Sequence, residues 1–283
     1  MSEDERRPVS PVESGGGRLD HGGELDLAGG PDAVLLLHGF TGSTFEVHPL
    51  AARLAAEGMR VLAPVMAGHG GAPGALREVR WAEWVEKAAG DLHRLNGARR
   101  TFLAGLSMGA LVACALARER AGAVDGLVLL APALRLTWPG RLAAWLGRLP
   151  LARQVILPKG SSDVGDPEMR RRNTCLEAIP LRTVSELAAL AAHVDRLLPE
   201  VRTPALVLGG AHDGTVTAAG VRRMARRLPR AELRFLDRSR HLLPIDVERD
   251  LCAEQVLRFL ASLPGREAAP GVGPHPASSP TGR

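Results

Sequence analysis

The chain has 283 residues, 45% of them hydrophobic, which is enough for one large α/β core, and no apolar run reaches the roughly 18 residues of a membrane span. The cysteines Cys114, Cys175 and Cys252 lie far apart in no C-x-x-C or Cys/His pattern, so we expect reduced thiols and no metal site. The formal charge of +5 comes almost entirely from arginine and aromatic residues make up only 3%, which argues against a nucleic-acid partner.

The two ends of the chain differ in composition from its middle. Residues 1–23 are polar and glycine-rich, and residues 264–283 are rich in Pro, Gly and Ser. Neither stretch can bury enough apolar area to offset its ordering entropy, so both are predicted to be flexible or disordered tails of a domain at 24–263. The charged start has no apolar leader, and we expect a cytoplasmic protein without stable membrane insertion.

Short apolar runs alternate with helical patterns through the domain, which is typical of an α/β fold with a mostly parallel sheet. The predicted strands are 33–39, 60–65, 101–106, 126–132, 204–210 and 232–237, with a weaker edge strand at 23–27. Several runs lack alternation, as expected of strands covered on both faces. Helices are predicted over 48–57, 80–95, 108–120, 215–228 and 246–262.

Residues 135–200 form an interval too long for a simple crossover. It contains Trp138, Trp145 and several helical patterns. An elaborate connection is one interpretation. We favour a helical lid inserted above the sheet, because long insertions at the carboxyl ends of strands usually shape access to a site.

A basic helical face is predicted near residue 225. Its arginines are Arg222, Arg223, Arg226, Arg227 and Arg230. They recur at i, i+4 spacing beside the apolar Val221, Met224 and Leu228, which indicates the solvated face of an amphipathic helix.

Residues 105–109 read Gly-Leu-Ser-Met-Gly and fit the G-x-S-x-G nucleophile elbow. A strand that turns at once into a helix strains its central residue, and glycine two positions to either side leaves room for the neighbouring backbone. Ser107 would then stand at a helix N-terminus, where free N–H groups and the helix dipole favour developing negative charge. We expect a catalytic nucleophile here rather than a chance glycine turn.

A serine nucleophile needs a base, which an acid orients. His241 follows the last predicted strand, although it could also be a histidine of a surface loop. Asp213 lies in a glycine-rich turn after the strand at 204–210. Asp246 is a weaker candidate for the acid because we expect it to cap the final helix. The order Ser107, Asp213, His241 is the hydrolase order of nucleophile, acid and base.

The oxyanion needs two backbone donors. One is predicted to be the N–H of Met108, directly after the nucleophile, and the other that of Phe40, in the loop after the strand at 33–39. His38 and Gly39 shape that loop, with a second catalytic base as the alternative for His38. His69, on the same rim, supports the loops or lines the pocket. Gly39 and His69 are therefore the candidate substrate-binding residues.

Together, five segments resemble the α/β-hydrolase superfamily, and within it the small bacterial carboxylesterases and monoacylglycerol lipases. They are LLLHGFTGS (35–43), AGHG (67–70), GLSMG (105–109), HDGTV (212–216) and SRHLLPID (239–246). The resemblance implies the α/β-hydrolase fold, a serine esterase with the triad and oxyanion amides named above, and a compact lid over an acyl pocket. Arg240 stands where such esterases often have a small residue, so we expect it to alter access on the alcohol side of the pocket.

The expected reaction is two-step acyl transfer from a small-molecule ester, with short or medium acyl esters or monoacylglycerols as substrates and no metal or cofactor. Other acyl chemistry on the same triad is the first alternative: thioester hydrolysis, acyl transfer, peptide cleavage or perhydrolysis. The others are a ligand receptor on the hydrolase fold and an RNA-associated basic protein.

Overall fold

The computed structural model describes residues 22–71 and 73–264. Within these ranges the strands are β1 (Leu25–Leu27), β2 (Asp32–Leu37), β3 (Arg60–Ala63), β4 (Arg100–Leu106), β5 (Gly126–Leu130), β6 (Ile156–Pro158), β7 (Ala178–Pro180), β8 (Ala205–Gly210) and β9 (Ala231–Leu236). Seven of them form the central sheet in the order β1-β3-β2-β4-β5-β8-β9. Only β1, at one edge, runs antiparallel to its neighbour in this sheet, so the carboxyl ends of the other strands face one rim.

The helices of the same ranges are α1 (His48–Ala56), α2 (Pro73–Arg77), α3 (Trp81–His93), α4 (Met108–Glu119), α5 (Trp138–Leu146), α6 (Pro167–Arg172), α7 (Leu181–Leu197), α8 (Ala218–Arg227) and α9 (Arg249–Ser262). The strands and helices predicted from sequence are confirmed, with ends shifted by three residues at most. The structure adds α2 and the small antiparallel pair β6–β7.

Two hydrophobic cores cover the two faces of the sheet, which explains why its strands lack alternation. Along β2, Leu35 and Leu37 point into the core beneath α3, α4, α7 and α8. Val34 and Leu36, the alternate residues, point into the core beneath α1 and α9. All four side chains are fully buried, as expected of a central strand between two helical layers.

The interval at 135–200 contains two structurally different parts. Its last helix, α7, buries Leu187, Leu190 and Val194 in the core shared with α3 and α4, so it belongs to the helical layer on that face of the sheet. The part before it holds α5, α6 and the pair β6–β7. Eight of the ten large hydrophobic side chains exposed in the described ranges lie between Trp138 and Leu157. The first part therefore presents an apolar surface to solvent.

The predicted basic face is the outer side of α8. Arg222 and Arg226 are exposed, as predicted for a solvated face. Other contacts were not foreseen: the Arg223 guanidinium binds both carboxylate oxygens of Asp195, at 2.8 and 2.7 Å, and that of Arg222 lies 4.5 Å from the centre of the Phe235 ring. Part of the positive charge is therefore engaged by the fold itself.

Two further predictions concern thiols and tails. Cys114, Cys175 and Cys252 are free, as expected; the first and third are buried, where burial raises the pKa of each thiol to about 12. The predicted tails at 1–23 and 264–283 fall outside the described residues except for residues 22, 23 and 264. In the part of the chain that the structure describes, no helix has the length and apolar character to cross a membrane.

Candidate active site

Ser107 occupies a strained turn between β4 and α4. Its φ of 56° and ψ of −108° lie in a region that residues other than glycine rarely adopt. A Cβ placed on Gly105 would strike the backbone of Gly109, and one placed on Gly109 would strike the carbonyl oxygen of Leu37. The crowding is the steric cause that the sequence predicted for this pair of glycines. Ser107 is only 5% exposed.

The acid loop (residues 211–217) and the base loop (residues 237–242) follow β8 and β9 and meet at the rim of the sheet. His241 Nδ1 lies 2.8 Å from Asp213 Oδ2, with the two side chains 7% and 4% exposed. The other carboxylate oxygen, Oδ1, accepts the amide N–H groups of Thr215 and Val216, each at 2.8 Å. These bonds fix the carboxylate with one oxygen towards the imidazole, so the structure brings the predicted acid and base together.

Close contact between the backbones of the acid loop and the base loop holds Asp213 and His241 together. The amide of His212 donates to the carbonyl oxygen of Ser239 at 3.0 Å, which extends the β8–β9 ladder beyond the strands. A Cβ placed on Gly210 would strike the carbonyl oxygen of Arg240. Only glycine at position 210 therefore allows the base loop to approach this closely.

Burial and charge act in opposite directions on His241. Burial lowers the pKa of the ring, but the carboxylate of Asp213, its hydrogen bond, and the charges of Asp163 and Glu46 outweigh it, so the pKa is raised above 6.5. An imidazole in this setting takes up a proton readily, as a general base must. The hydroxyl of Ser107 makes no hydrogen bond to any described residue, so a hydrogen bond between this hydroxyl and the His241 ring stays a prediction.

The oxyanion loop (residues 38–43) follows β2. Phe40 packs edge-on against Trp84, with ring centres 6.1 Å apart, and its amide donates to no other residue of the described ranges. Met108 is the first residue of α4, where helical N–H groups have no partner in their own helix. The geometry leaves both predicted oxyanion donors available, and their convergence on one oxygen stays a prediction.

His38 is committed to holding this loop in place. Because the amide of Met66 donates to its Nε2 at 3.1 Å, that nitrogen carries no proton, and Nδ1–H donates to the carbonyl oxygen of Gly39 at 2.9 Å. Burial lowers the pKa of His38 to about 3, so the ring is neutral. Both ring nitrogens of His38 are therefore already hydrogen-bonded. These contacts do not support its alternative role as a second catalytic base.

His69 supports the same loop from the side of β3. Its Nε2 accepts the amide N–H of Thr41, and its Nδ1 donates to the carbonyl oxygen of Ala67, both at 3.0 Å. Burial lowers the pKa of His69 to about 4. These contacts agree with the first of the two roles predicted for His69, which were support of the loops and lining of the pocket. Substrate contacts of His69 and Gly39 stay predictions.

A buried carboxyl that sequence reasoning missed lies behind the oxyanion loop. It belongs to Glu46, whose pKa is raised by burial, and its Oε1 accepts the Asn173 amide at 3.3 Å. No described residue bonds its Oε2. A Cβ placed on Gly39 would lie 3.3 Å from this oxygen and 3.5 Å from Ser107 Cβ, which puts the carboxyl within about 7 Å of that carbon. No local pattern marks Glu46, because its hydrogen-bond partner Asn173 and the charge of His241 that acts on it are distant in sequence.

Two further carboxylates fix the base loop. Asp246 accepts the amide N–H of Arg240 at 2.6 Å and that of Gly165 at 2.7 Å. Glu248 accepts the hydroxyl of Ser239 at 2.7 Å. The expectation that Asp246 caps the final helix is wrong, because α9 begins at Arg249 and the carboxylate binds loop amides instead. Four of them donate to it: those of Gly165, Asp166, Arg240 and Val247.

The fold, the strained serine after β4 and the His–Asp pair after β8 and β9 together define an α/β-hydrolase. Residues 31–248 match the family described as serine aminopeptidase, S33. The chain belongs to this family.

The named proteins that resemble this chain include esterases and lipases. The chain is 28% identical over 239 residues to a thermostable monoacylglycerol lipase of Bacillus sp. (strain H-257), covering 83% of this chain and 93% of that protein. It is 27% identical over 240 residues to a carboxylesterase of Bacillus subtilis (strain 168), covering 83% and 94%. A solved structure from work on two metagenome-derived lipolytic enzymes, LipS and LipT, has 25% identity and a TM-score of 0.78, covering 85% of this chain and 98% of that one.

Proposed function

We propose that this protein hydrolyses carboxylic esters, with short or medium acyl esters or monoacylglycerols as substrates, through Ser107, His241 and Asp213. The observation that carries the proposal is the His241–Asp213 hydrogen bond on the rim where the strained Ser107 turn also ends. The esterase and lipase names of the relatives support the same reaction class.

In the proposed mechanism, His241 Nε2 takes the Ser107 proton as the hydroxyl attacks the ester carbonyl. Asp213 holds the ring through Nδ1 and stabilises the imidazolium. The amides of Phe40 and Met108 donate to the oxyanion. His241 then gives the proton to the departing alcohol, and a water molecule repeats the attack on the acyl-enzyme to release the acid. No step requires a metal or an organic cofactor.

The part of the interval before α7 is proposed to act as a lid. Its apolar exposed side chains, between Trp138 and Leu157, suit a cover for acyl chains. It also contacts both sides of the site: Leu176 N–H donates to the carbonyl oxygen of Thr41 at 2.9 Å, and Asp163 bonds the acid and base loops. The proposal extends to a cytoplasmic location, which stays a prediction of the sequence.

The proposed function is tested by trapping the nucleophile. A fluorophosphonate should modify the wild-type protein on the peptide that contains Ser107 and leave Ser107→Ala unmodified. A series of p-nitrophenyl esters then gives acyl-length preference. Modification elsewhere, or equal ester turnover by wild type and Ser107→Ala, contradicts the assignment.

The same assay separates ester hydrolysis from other acyl chemistry. Because the family description names an aminopeptidase, a thioester and an aminoacyl anilide of matched size are run beside the ester. We expect the largest kcat/KM on the ester. A larger value on the anilide would identify a peptidase on the same triad. A single turnover with retained ligand would identify a receptor.

A further inference from the structure

We propose that Asp163, in the segment between β6 and α6, is a positioning residue that ties the acid loop to the base loop and so holds His241 against Asp213. This inference rests on the proposed function, since it assigns a role within that triad. Asp163 is remote in sequence from all three proposed catalytic residues, and no pattern of the chain distinguishes it.

The carboxylate of Asp163 is bound to the acid loop. Its Oδ2 accepts the amide N–H of Gly214 at 2.8 Å and the hydroxyl of Thr215 at 3.0 Å. These two residues directly follow Asp213. A charged acceptor of two hydrogen bonds restricts the turn in which the proposed acid sits.

The backbone of Asp163 is bound to the base loop. Its carbonyl oxygen accepts the amide N–H of His241 at 3.1 Å and that of Leu242 at 3.2 Å. Its Oδ1 also lies 3.4 Å from a guanidinium nitrogen of Arg240, whose side chain is half exposed. One residue therefore bonds both loops, and the distance between acid and base depends on it.

The segment around Asp163 is itself anchored to the base loop. The amides of Gly165 and Asp166 donate to Asp246 Oδ1, and Arg240 donates to Oδ2 of the same carboxylate. Asp163 thus reaches the site from a fixed backbone. The side chain of Asp166 points elsewhere: it caps α6 and pairs with Arg249.

The pKa of His241 depends on the charge of Asp163. It is therefore a readout that the loss of a purely structural contact would not change. The groups that raise the pKa of His241 are Asp213, Asp163 and Glu46, acting against burial. Arg240, on the base loop, pairs with Asp163. Removing the charge of Asp163 while keeping an oxygen acceptor should lower that pKa. Asp163→Asn makes this change, and Asp163→Ala removes the acceptor as well.

The experiment compares wild type, Asp163→Asn, Asp163→Ala, Ser107→Ala and the matched control Asp166→Asn. The His241 pKa is followed by NMR titration of the ring, which needs no turnover, and kcat, KM and the pH profile are measured on a p-nitrophenyl ester. We expect Asp163→Asn to lower the His241 pKa by at least about 0.5 and to move the acid limb of kcat/KM by the same amount. We expect Asp163→Ala to lower kcat by about tenfold or more, with KM changed by less than about twofold. Asp166→Asn should match wild type.

The possible results are distinguishable. An inactive wild type, or an active Ser107→Ala, ends the proposed function, and with it a role for Asp163 in that triad, whatever the titration shows. If wild type is active and Ser107→Ala is not, a wild-type His241 pKa and wild-type kcat in Asp163→Asn overturn the inference. Equal losses in Asp163→Asn and Asp166→Asn, with an unmoved acid limb, also overturn it, since they show general destabilisation of the segment. If Asp163→Ala fails to fold, Asp163→Asn decides.

Discussion

Asp213 and His241 share a 2.8 Å hydrogen bond between side chains that are both almost fully buried. The bond and the carboxylate charge, acting against burial, raise the pKa of the imidazole above 6.5. A general base must be neutral, so activity should fall as the pH drops through this raised pKa, by about tenfold per pH unit below it. A pH profile of kcat/KM checks this, and a flat acid limb would contradict the assignment of the base.

Replacement of the acid should change both rate and pH dependence. In Asp213→Asn the ring loses the charge that raises its pKa, so the acid limb should move to lower pH. The kcat should fall roughly 10³- to 10⁴-fold, because the tautomer and orientation of the ring are lost.

The raised pKa of His241 also makes folding stability depend on pH, in the direction opposite to the activity, which rises with pH. A raised folded pKa stabilises the protein below the unfolded pKa, and this contribution is lost as the pH rises through the folded value. Urea unfolding of wild type and Asp213→Asn across pH 5–9 measures the difference.

The strain at Ser107 should be visible in stability. Its φ of 56° favours glycine, whereas alanine retains the clash of a Cβ. Both Ser107→Ala and Ser107→Gly should lose turnover by about 10³-fold or more. Ser107→Gly should be more stable than Ser107→Ala by roughly 1 kcal/mol, which reverses the usual order of the two residues. Thermal unfolding of both variants provides the test, and the usual order would show that the turn stores no strain.

The glycines beside the serine should be intolerant of a methyl group. Gly105→Ala and Gly109→Ala each place a Cβ against backbone atoms that cannot rotate away, so we expect a loss of about 2 kcal/mol or more, or no folded protein. Gly90→Ala is the matched control. Gly90 lies in α3, and a Cβ placed there would meet nothing within 4 Å beyond its chain neighbours and the backbone of its own helix. This variant should gain up to about 1 kcal/mol, and equal melting temperatures in all three variants would contradict the crowding.

The two histidines that brace the oxyanion loop should make the fold acid-sensitive. Their pKa values, about 3 for His38 and about 4 for His69, are lowered by burial, whereas the unfolded chain takes up protons near pH 6.5. Stability present above pH 6.5 is therefore lost as the pH falls, by up to about 1.4 kcal/mol per pH unit for each ring. His38→Asn should be less stable at pH 7 and should lose stability less steeply from pH 6.5 to 4. An unchanged slope of the urea midpoint against pH would contradict this.

Much of the fold could be predicted because its strands and helices bury periodic or continuous apolar runs. The run at 126–132 appears as β5, ending at Leu130, and the period of apolar residues near 225 appears as α8. The short elements β6 and β7 could not be predicted, since each has three residues and neither is buried on two faces. The final helix begins at Arg249 rather than 246, because a 3-10 turn over Leu243–Ile245 precedes it.

Residues of the proposed site could be predicted only where a local sequence motif, or a position directly after a strand, indicates their chemical role. Ser107 was found through its flanking glycines, and Asp213 and His241 through their positions after strands. Asp163 and Glu46 were missed, because they act through hydrogen bonds and charges between segments far apart in sequence. Their partners are fixed by the tertiary fold, which no spacing of residues in the chain records.

The close approach at Gly210 has a consequence for mutational scans. Any side chain there would press on the carbonyl of Arg240 and push the histidine-bearing loop away from its carboxylate partner. A saturation library scored by ester turnover would thus report position 210 as indispensable, as if it took part in bond breaking. A ranking of positions by lost activity alone would therefore overcount the reacting groups. Measuring the abundance of each protein variant in the same library would separate positions that disturb the fold from positions that take part in the reaction.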